Sequence, residues 1–388
     1  MAAPPLGNGV HPADFPCNQN SMVALAPLPL PAGIRSRMAP GINGLDMHFF
    51  EAGEDGKPLL LLLHGFPELA YSWRKVMLPL AEAGYRVVAP DQRGYGRTTG
   101  WDGDYDGDLA RYRILNLVRD AMGLVKHLGH RTVECVIGHD FGVQVAAWSA
   151  LLRPDLFKSV AIMSAPFAGP PPLGPRRDDR IHAALAALPR PRKHYQWYYA
   201  TRKANPNMWR AKQGLPAFLR GYYHHKSADW KDNKPFPLKG WTADELAKMP
   251  TYYIMDLADG MAETVAREMP AGPASWLTEA ELAVYAGEYE RTGFQGGLQW
   301  YRIRVEAVQT AELEIFAGRT IDVPACFIAG ASDWGIHQSP GALERMPRTG
   351  FSRMRDIHLI PGAGHWVQQE QPEEVTRRLL AFLAARAA

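Results

Sequence analysis

Val133-Glu134-Cys135-Val136-Ile137 runs directly into Gly138-His139-Asp140-Phe141-Gly142, and a helix-like stretch, Val143 to Leu152, follows without a spacer. An apolar strand that turns sharply into a helix through Gly-x-Asp-x-Gly forms a nucleophile elbow. Small residues flank the central one because the strained turn leaves no room for side chains. A chain with this element is committed to a strand–helix alternation, and the turn presents Asp140 at the end of a strand.

A carboxylate at that point dictates the chemistry. Serine needs a base to remove its proton and then attacks a planar carbonyl. With a reference pKa near 4, and with the positive end of the following helix favouring its charge, Asp140 is ionised at pH 7 unaided. It can displace a leaving group from saturated carbon and form an ester, which water must then cleave. The substrate class is an alkylating electrophile, such as an epoxide or an alkyl halide. Taken alone, Asp140 also fits a helix N-cap; the flanking glycines and a later His365 favour chemistry.

The chain has 388 residues, 46% hydrophobic and 21% charged, with a net charge of +3. This composition suits a soluble globular protein of one large domain with an insertion, or of two domains. It gives no reason to propose nucleic acid or a membrane as partner. Cys17, Cys135 and Cys326 cannot all pair, and two of them fall in expected core strands, so reduced thiols and a cytoplasmic location are expected. No Cys-x-x-Cys or His-Glu-x-x-His spacing calls for a metal. The apolar run Ser21 to Ile34 is broken by Pro27, Pro29 and Pro31 and lacks a basic leader, which argues against a spanning helix or a secretory signal.

Residues 1–35 carry Pro, Gly and Asn without periodicity and read as an irregular arm. Strands are expected at Leu45–Glu51, Leu59–Leu63, Arg86–Ala89, Val133–Ile137 and Ser159–Met163, with helices at Tyr71–Ala83, Leu109–Leu128 and Val143–Leu152. This alternation predicts an α/β fold, a mostly parallel sheet with helices on both faces. From 168 to 318 the alternation stops, Pro- and Gly-rich turns join helix-like segments, and half of the chain's Phe, Trp and Tyr residues occur. Strands resume at Ala325–Ala329 and Asp356–Ile360, and a terminal helix runs from Pro372 to Ala387. The expected organisation is therefore a core of 36–167 and 319–388 with a mainly helical cap, 168–318, inserted.

The ester on Asp140 needs a base and an orienting acid, and later strand ends supply both. His365 lies in Pro361-Gly362-Ala363-Gly364-His365-Trp366, and Asp333 lies in Gly330-Ala331-Ser332-Asp333-Trp334. Nucleophile, acid, histidine is the chain order of the α/β-hydrolase triad. Asp333 equally suits a turn, with Glu306 and Glu312 as fallback acids. Backbone N–H groups of Phe141 and Phe66, the latter in His64-Gly65-Phe66-Pro67, would form the oxyanion hole. His64, Pro67, His139, Gln196, Trp197, Trp334 and Trp366 are expected to support these groups or line the substrate, and Asp91 to fix its loop. Opening an epoxide also requires a proton donor to the oxygen, and tyrosine, still protonated at pH 7, can serve.

The set His64-Gly65-Phe66-Pro67, Gly138-His139-Asp140-Phe141-Gly142 and Gly364-His365-Trp366, with Tyr195-Gln196-Trp197-Tyr198-Tyr199 and Arg291-Thr292-Gly293-Phe294 before Trp300-Tyr301-Arg302, resembles the soluble epoxide hydrolases of the α/β-hydrolase fold. The resemblance covers the chain from about residue 38 onward. It implies that two cap tyrosines hold the epoxide oxygen, by motif position Tyr195 and Tyr301, with Tyr198 and Tyr199 close to the first. It implies an epoxide and water as reactants, a vicinal diol as product, and no metal or organic cofactor. Many relatives carry Trp after the nucleophile, where this chain has Phe141. In the related haloalkane dehalogenases, side-chain N–H donors at the positions of Phe141 and Phe66 bind the halide, and phenylalanine cannot donate. A dehalogenase, and a non-catalytic small-ligand receptor on the same fold, remain the competing readings.

Overall fold

The computed structural model describes residues 25–174 and 180–387. Most of the N-terminal arm, 1–24, lies outside the described residues. The rest of it is fastened to the body: Arg97 donates to the Ala26 carbonyl at 2.8 Å, and the Tyr71 hydroxyl to that of Pro29 at 3.3 Å.

Among the described residues ten strands follow in chain order: Arg35–Ile42 (β1), Leu45–Ala52 (β2), Leu59–Leu63 (β3), Arg86–Pro90 (β4), Cys135–His139 (β5), Val160–Met163 (β6), Arg192–His194 (β7), Ile254–Asp256 (β8), Ala325–Gly330 (β9) and Met354–Ile360 (β10). Eight form one sheet in the order β1-β2-β4-β3-β5-β6-β9-β10. The pairs β1–β2 and β2–β4 are antiparallel, and all others in that sheet are parallel. Parallel strands covered on both faces read as continuous apolar runs, and every residue of β3, Leu59 to Leu63, is buried.

β1 departs from the sequence expectation, in which Leu45–Glu51 is the first strand. Only Ala39 and Ile42 of its eight residues are buried, so an edge strand of this kind carries no apolar alternation to read. The helix expected over Leu109–Leu128 is split. Asp108 caps a short 3₁₀ turn, Leu109–Tyr112, by accepting from the Ala110 amide, and Arg113 turns extended before the α-helix Ile114–His127 begins. The Ile114 amide is taken up by the Gln309 side chain at 2.6 Å, a partner distant in sequence. The helix after β5, Gly142–Leu152, is buried on nearly every side, which places the elbow in the centre of the sheet rather than at its margin.

Between β6 and β9 the chain leaves the sheet and forms short helices, with β7 and β8 pairing antiparallel as a separate ribbon. This two-stranded element was not foreseen within the helical stretch. Its longest helices are Leu215–Lys226, Glu279–Thr292 and Gln295–Val305. Among the described residues no helix is long and apolar enough to cross a membrane.

Candidate active site

β5 extends two residues beyond the expected Ile137, through Gly138 and His139, so Asp140 is the first residue past the strand. Its φ is +51°, a left-handed conformation that a non-glycine residue adopts at a cost of order 1–3 kcal/mol. The turn is closed by contact: a side chain on Gly138 would run into the Gly142 backbone, and one on Gly142 into the carbonyl of Leu63. The two glycines thus allow β5, its helix and β3 to meet.

The two carboxylate oxygens of Asp140 have different neighbours. Oδ1 accepts the Phe66 amide at 3.0 Å. Oδ2 lies 3.3 Å from His365 Nε2, which is too poorly aligned for a hydrogen bond and leaves that nitrogen without a hydrogen-bond partner. On the far side of the ring, His365 Nδ1 lies 3.1 Å from both oxygens of Asp333. Asp333 also accepts the Gly335 amide at 2.6 Å. The loops after β5, β9 and β10 therefore bring Asp140, Asp333 and His365 together. Burial works to raise the Asp140 carboxyl, but His365, Lys226 and His139 outweigh it and hold it well below the usual range. Asp333 is likewise lowered, with His365 and the Gly335 amide overcoming burial. No hydrogen bond joins the Phe141 amide to the Asp140 carboxylate among the described residues.

Tyr195 and Tyr301 enter from the helical stretch, their ring centroids 5.9 Å apart. The Tyr195 hydroxyl accepts from Gln196 at 3.0 Å and donates to Gln338 at 3.2 Å. The Tyr301 hydroxyl has no hydrogen-bond partner among the described residues. Burial raises both phenols, and the Asp140 charge adds to it. The neighbours of Tyr195 are engaged elsewhere: Tyr198 donates to Asn207 at 2.8 Å, and Tyr199 to Tyr222 at 3.1 Å.

Trp197 requires a correction. It is 42% exposed and stacks on His182 with centroids 4.5 Å apart. In the short helix Tyr195–Tyr199 the buried residues are 195, 198 and 199, so position 197 points away from the site. Gln196 is half-buried, and the other expected supporting residues are buried. His64 bonds the Gly65 carbonyl through Nδ1 and accepts the Gln92 amide at Nε2. That acceptor role fits a neutral ring, and burial lowers its pKa. The Pro67 carbonyl accepts the Tyr223 hydroxyl at 2.7 Å. Trp366 donates to the Tyr223 carbonyl and meets the His365 ring edge-on. Trp334 packs against Phe236. Asp91 takes the amides of Ala70 and Arg97 and bonds His48, which fixes its loop.

His139 does more than the sequence reading indicated. Nδ1 bonds Glu68 at 2.6 Å and Nε2 bonds the His365 carbonyl at 2.7 Å. Both partners are acceptors, so both ring nitrogens donate and the ring is an imidazolium. Burial opposes this charge, and Glu68 overcomes it, raising the His139 pKa. Gln368 and Gln369 each donate to the other Glu68 oxygen at 2.9 Å. Glu370 accepts the amides of Gly364, Trp366 and Ala228, and thereby holds the His365 loop to the helical stretch. Sequence reasoning missed Glu68, Lys226, Gln338 and Glu370; their only local signal is adjacency, Glu68 to Pro67 and Gln368-Gln369-Glu370 to the His365 loop. Among the described residues no three His, Cys, Asp or Glu side chains gather as a metal-binding group.

Comparison with known proteins identifies the family. Residues 58–372 match the family model described as alpha/beta hydrolase fold. Epoxide hydrolase A of Mycobacterium tuberculosis is 36% identical over 352 residues, 88% of this chain and 95% of that protein. Epoxide hydrolase B of the same organism is 37% identical over 338 residues, 84% and 91%. Among solved structures, an epoxide hydrolase from an endophytic Streptomyces superposes with a TM-score of 0.72 at 33% identity, covering 91% of this chain and 96% of that one. Potato epoxide hydrolase I gives 0.68 at 30% identity, with 91% and 99% covered. The chain belongs to the α/β-hydrolase fold family and, within it, to the epoxide hydrolases.

Proposed function

We propose that this protein hydrolyses an epoxide to a vicinal diol through a covalent ester on Asp140. The observation that carries the reading is the pair of phenols, Tyr195 and Tyr301, with ring centroids 5.9 Å apart and the Tyr301 ring packed at 4.4 Å on Phe141, the residue next to a carboxylate backed by His365 and Asp333. Asp140 Oδ2 attacks a ring carbon, its C–O bond forms as the ring C–O bond breaks, and a tyrosine hydroxyl gives its proton to the departing oxygen. Oδ1, already bonded to the Phe66 amide, becomes the ester carbonyl oxygen.

In the second step His365 Nε2 takes a proton from water, and the hydroxide adds to the Asp140 carboxyl carbon. The negative charge gathers on Oδ1, where the Phe66 amide, with that of Phe141 at the helix start, stabilises it. Collapse expels the diol oxygen with the proton from His365. The tyrosinate recovers its proton from solvent, and the carboxylate is restored. Asp333 orients His365 and stabilises its charged form. Residues 168–318 act as the cap that presents the tyrosines, and His64, Pro67, Trp334 and Trp366 shape the walls. The buried free thiols Cys135 and Cys326 support a reducing, cytoplasmic setting.

The test is one purified sample offered a panel of aryl and aliphatic epoxides and of haloalkanes. Diol formation is the expected result. Halide release without diol would replace this reading by dehalogenation, against which the donor-free rings at 66 and 141 already weigh.

A further inference from the structure

Lys226 ends the helix Leu215–Lys226 and is only 4% exposed. Its Nζ lies 5.6 Å from the ring centroid of Tyr222, 5.8 Å from Tyr252, 5.2 Å from Tyr253 and 5.3 Å from Trp366. It forms no ion pair or hydrogen bond with another described side chain. Its backbone, by contrast, is tied to the histidine loop: the Lys226 carbonyl accepts the His365 amide at 2.9 Å. Two residues on, the Ala228 amide bonds the same Glu370 oxygen that holds the Gly364 amide. A buried ammonium held this rigidly beside the triad, and paired with none of it, acts through its field.

We propose that Lys226 is a positioning residue that keeps His365 an unprotonated base once Asp140 has been esterified. The inference rests on the epoxide-hydrolysis reading and deepens it. Three carboxylates act on the ammonium through space: Asp140 and Glu68 from the core loops, and Asp333 from the loop after β9. The other groups around it are His139, His365 and, on the helix after the His365 loop, Glu370 on the core side, and His225, Tyr222, Tyr252 and Tyr253 on the cap side. Burial lowers the pKa of Lys226, and the three carboxylates draw it back, while the ring faces favour the cation.

Charge counting gives the consequence. Before reaction, Asp140, Asp333 and Glu68 are negative, Lys226 and His139 positive, and Glu370, pushed up to about 8 by burial, uncharged at neutral pH. Esterification neutralises Asp140. The two remaining carboxylates are then balanced by the two cations with His365 neutral, the state that can take a proton from water. Without Lys226 the esterified site holds one excess negative charge, and His365 gains a proton to offset it. On the order of 10 Å apart at an effective dielectric of about 20, two unit charges shift each other's pKa by about one unit.

The experiment is single-turnover kinetics of the full chain from pH 5 to 9 with an epoxide the wild type converts, following the ester by intact-protein mass and the diol by chromatography. K226M is expected to move the acid limb of ester hydrolysis up by about one pH unit, so that ester accumulates near neutrality; K226R is expected to return the limb toward the wild-type position. If Met disturbs the fold, as a lowered Tm would report, K226Q is read in the same way. A limb that stays in place in the folded variants overturns the inference while leaving epoxide hydrolysis intact, since loss of packing alone does not move a pH profile. A wild type that makes no diol overturns the function reading, and this inference with it.

Discussion

Glu68→Gln removes a negative charge from beneath the site while preserving the side chain's shape. In the wild type His139 donates from both ring nitrogens, to Glu68 and to the His365 carbonyl. A neutral amide at position 68 leaves it two courses. It can keep both protons as a buried, unpaired cation, which costs about 3–5 kcal/mol. Alternatively it gives up the Nδ1 proton and accepts there from the new amide at position 68, keeping Nε2–H for the His365 carbonyl, so that only the charge assistance of the bond is lost, about 1–2 kcal/mol. The second course is cheaper, and the Ser164 hydroxyl still serves the His365 carbonyl at 3.1 Å, so the expected loss is about 1–2 kcal/mol. In a chain of 388 residues that corresponds to a Tm lower by about 1–3 °C. The pH dependence gives the sharper test. Burial opposes ionisation of both partners, and their mutual attraction overcomes it: His139 is raised above its ordinary 6.5 and Glu68 lowered below 4.5. The His139 contribution is complete below pH 6.5 and fades as pH rises through the raised value. The Glu68 contribution is complete above pH 4.5 and fades as pH falls through the lowered value. Urea unfolding of both proteins should therefore show a wild-type advantage that is largest between pH 4.5 and 6.5 and shrinks on either side. An advantage that is flat across pH would refute the imidazolium assignment.

Asp140→Ala should form no ester, whereas His365→Gln should form it and hydrolyse it about 10²–10⁴ times more slowly, leaving a protein heavier by one substrate on mass spectrometry. Tyr301→Phe and Tyr195→Phe should each slow ester formation by about 10²–10³ if each donates to the developing alkoxide, while Tyr198→Phe should leave the pre-steady-state rate nearly unchanged. Burial pushes Glu370 up to about 8 against the three amides that favour its charge. A raised carboxyl adds stability at low pH that is lost between 4.5 and about 8, so Glu370→Gln should flatten the stability decline over that interval. Parallel wild-type and variant curves would mean that the amides keep Glu370 ionised.

The legible parts of this molecule are those whose physics is local. β3 and β5 are continuous apolar runs because parallel strands are covered on both faces, and Asp140, Asp333 and His365 each sit in a short loop directly after a strand. Their convergence follows from parallel neighbours ending at one edge of the sheet. β1 was missed because six of its eight residues are exposed. Glu68 meets His139 across 71 residues, and Gln369 across 301; no spacing rule connects such positions. Lys226 reads in sequence as the basic end of an ordinary helix, and only the tertiary fold turns it inward among aromatic rings. Trp197 failed for the opposite reason: its neighbours carried the motif, and a helical turn separates neighbours onto different faces.

Phe66 and Phe141 entered the sequence argument only as residues that cannot donate from their side chains. Their rings have a positive role. Phe66 meets Tyr301 with centroids 5.4 Å apart, and Phe141 meets it at 4.4 Å, while Tyr199 closes on the same ring at 4.8 Å. Edge-to-face pairs of this kind contribute about 0.5–1.5 kcal/mol each beyond their buried area. Three of them fix a phenol whose hydroxyl has no hydrogen-bond partner among the described residues. Tyr301 is therefore oriented by packing rather than by a polar bond that substrate would have to break. Tyr195 is held differently, donating to Gln338 and accepting from Gln196, so it must surrender one bond before it can give its proton away. On the proposed mechanism the two phenols are unequal: Tyr301 is free to donate from the outset, and Tyr195 exchanges Gln338 for the epoxide oxygen as the ring opens. Phe66, whose backbone amide bonds the carboxylate, and Phe141, the residue after the nucleophile, thus set the proton donor in place, which ties the choice of leaving group to the geometry of the nucleophile.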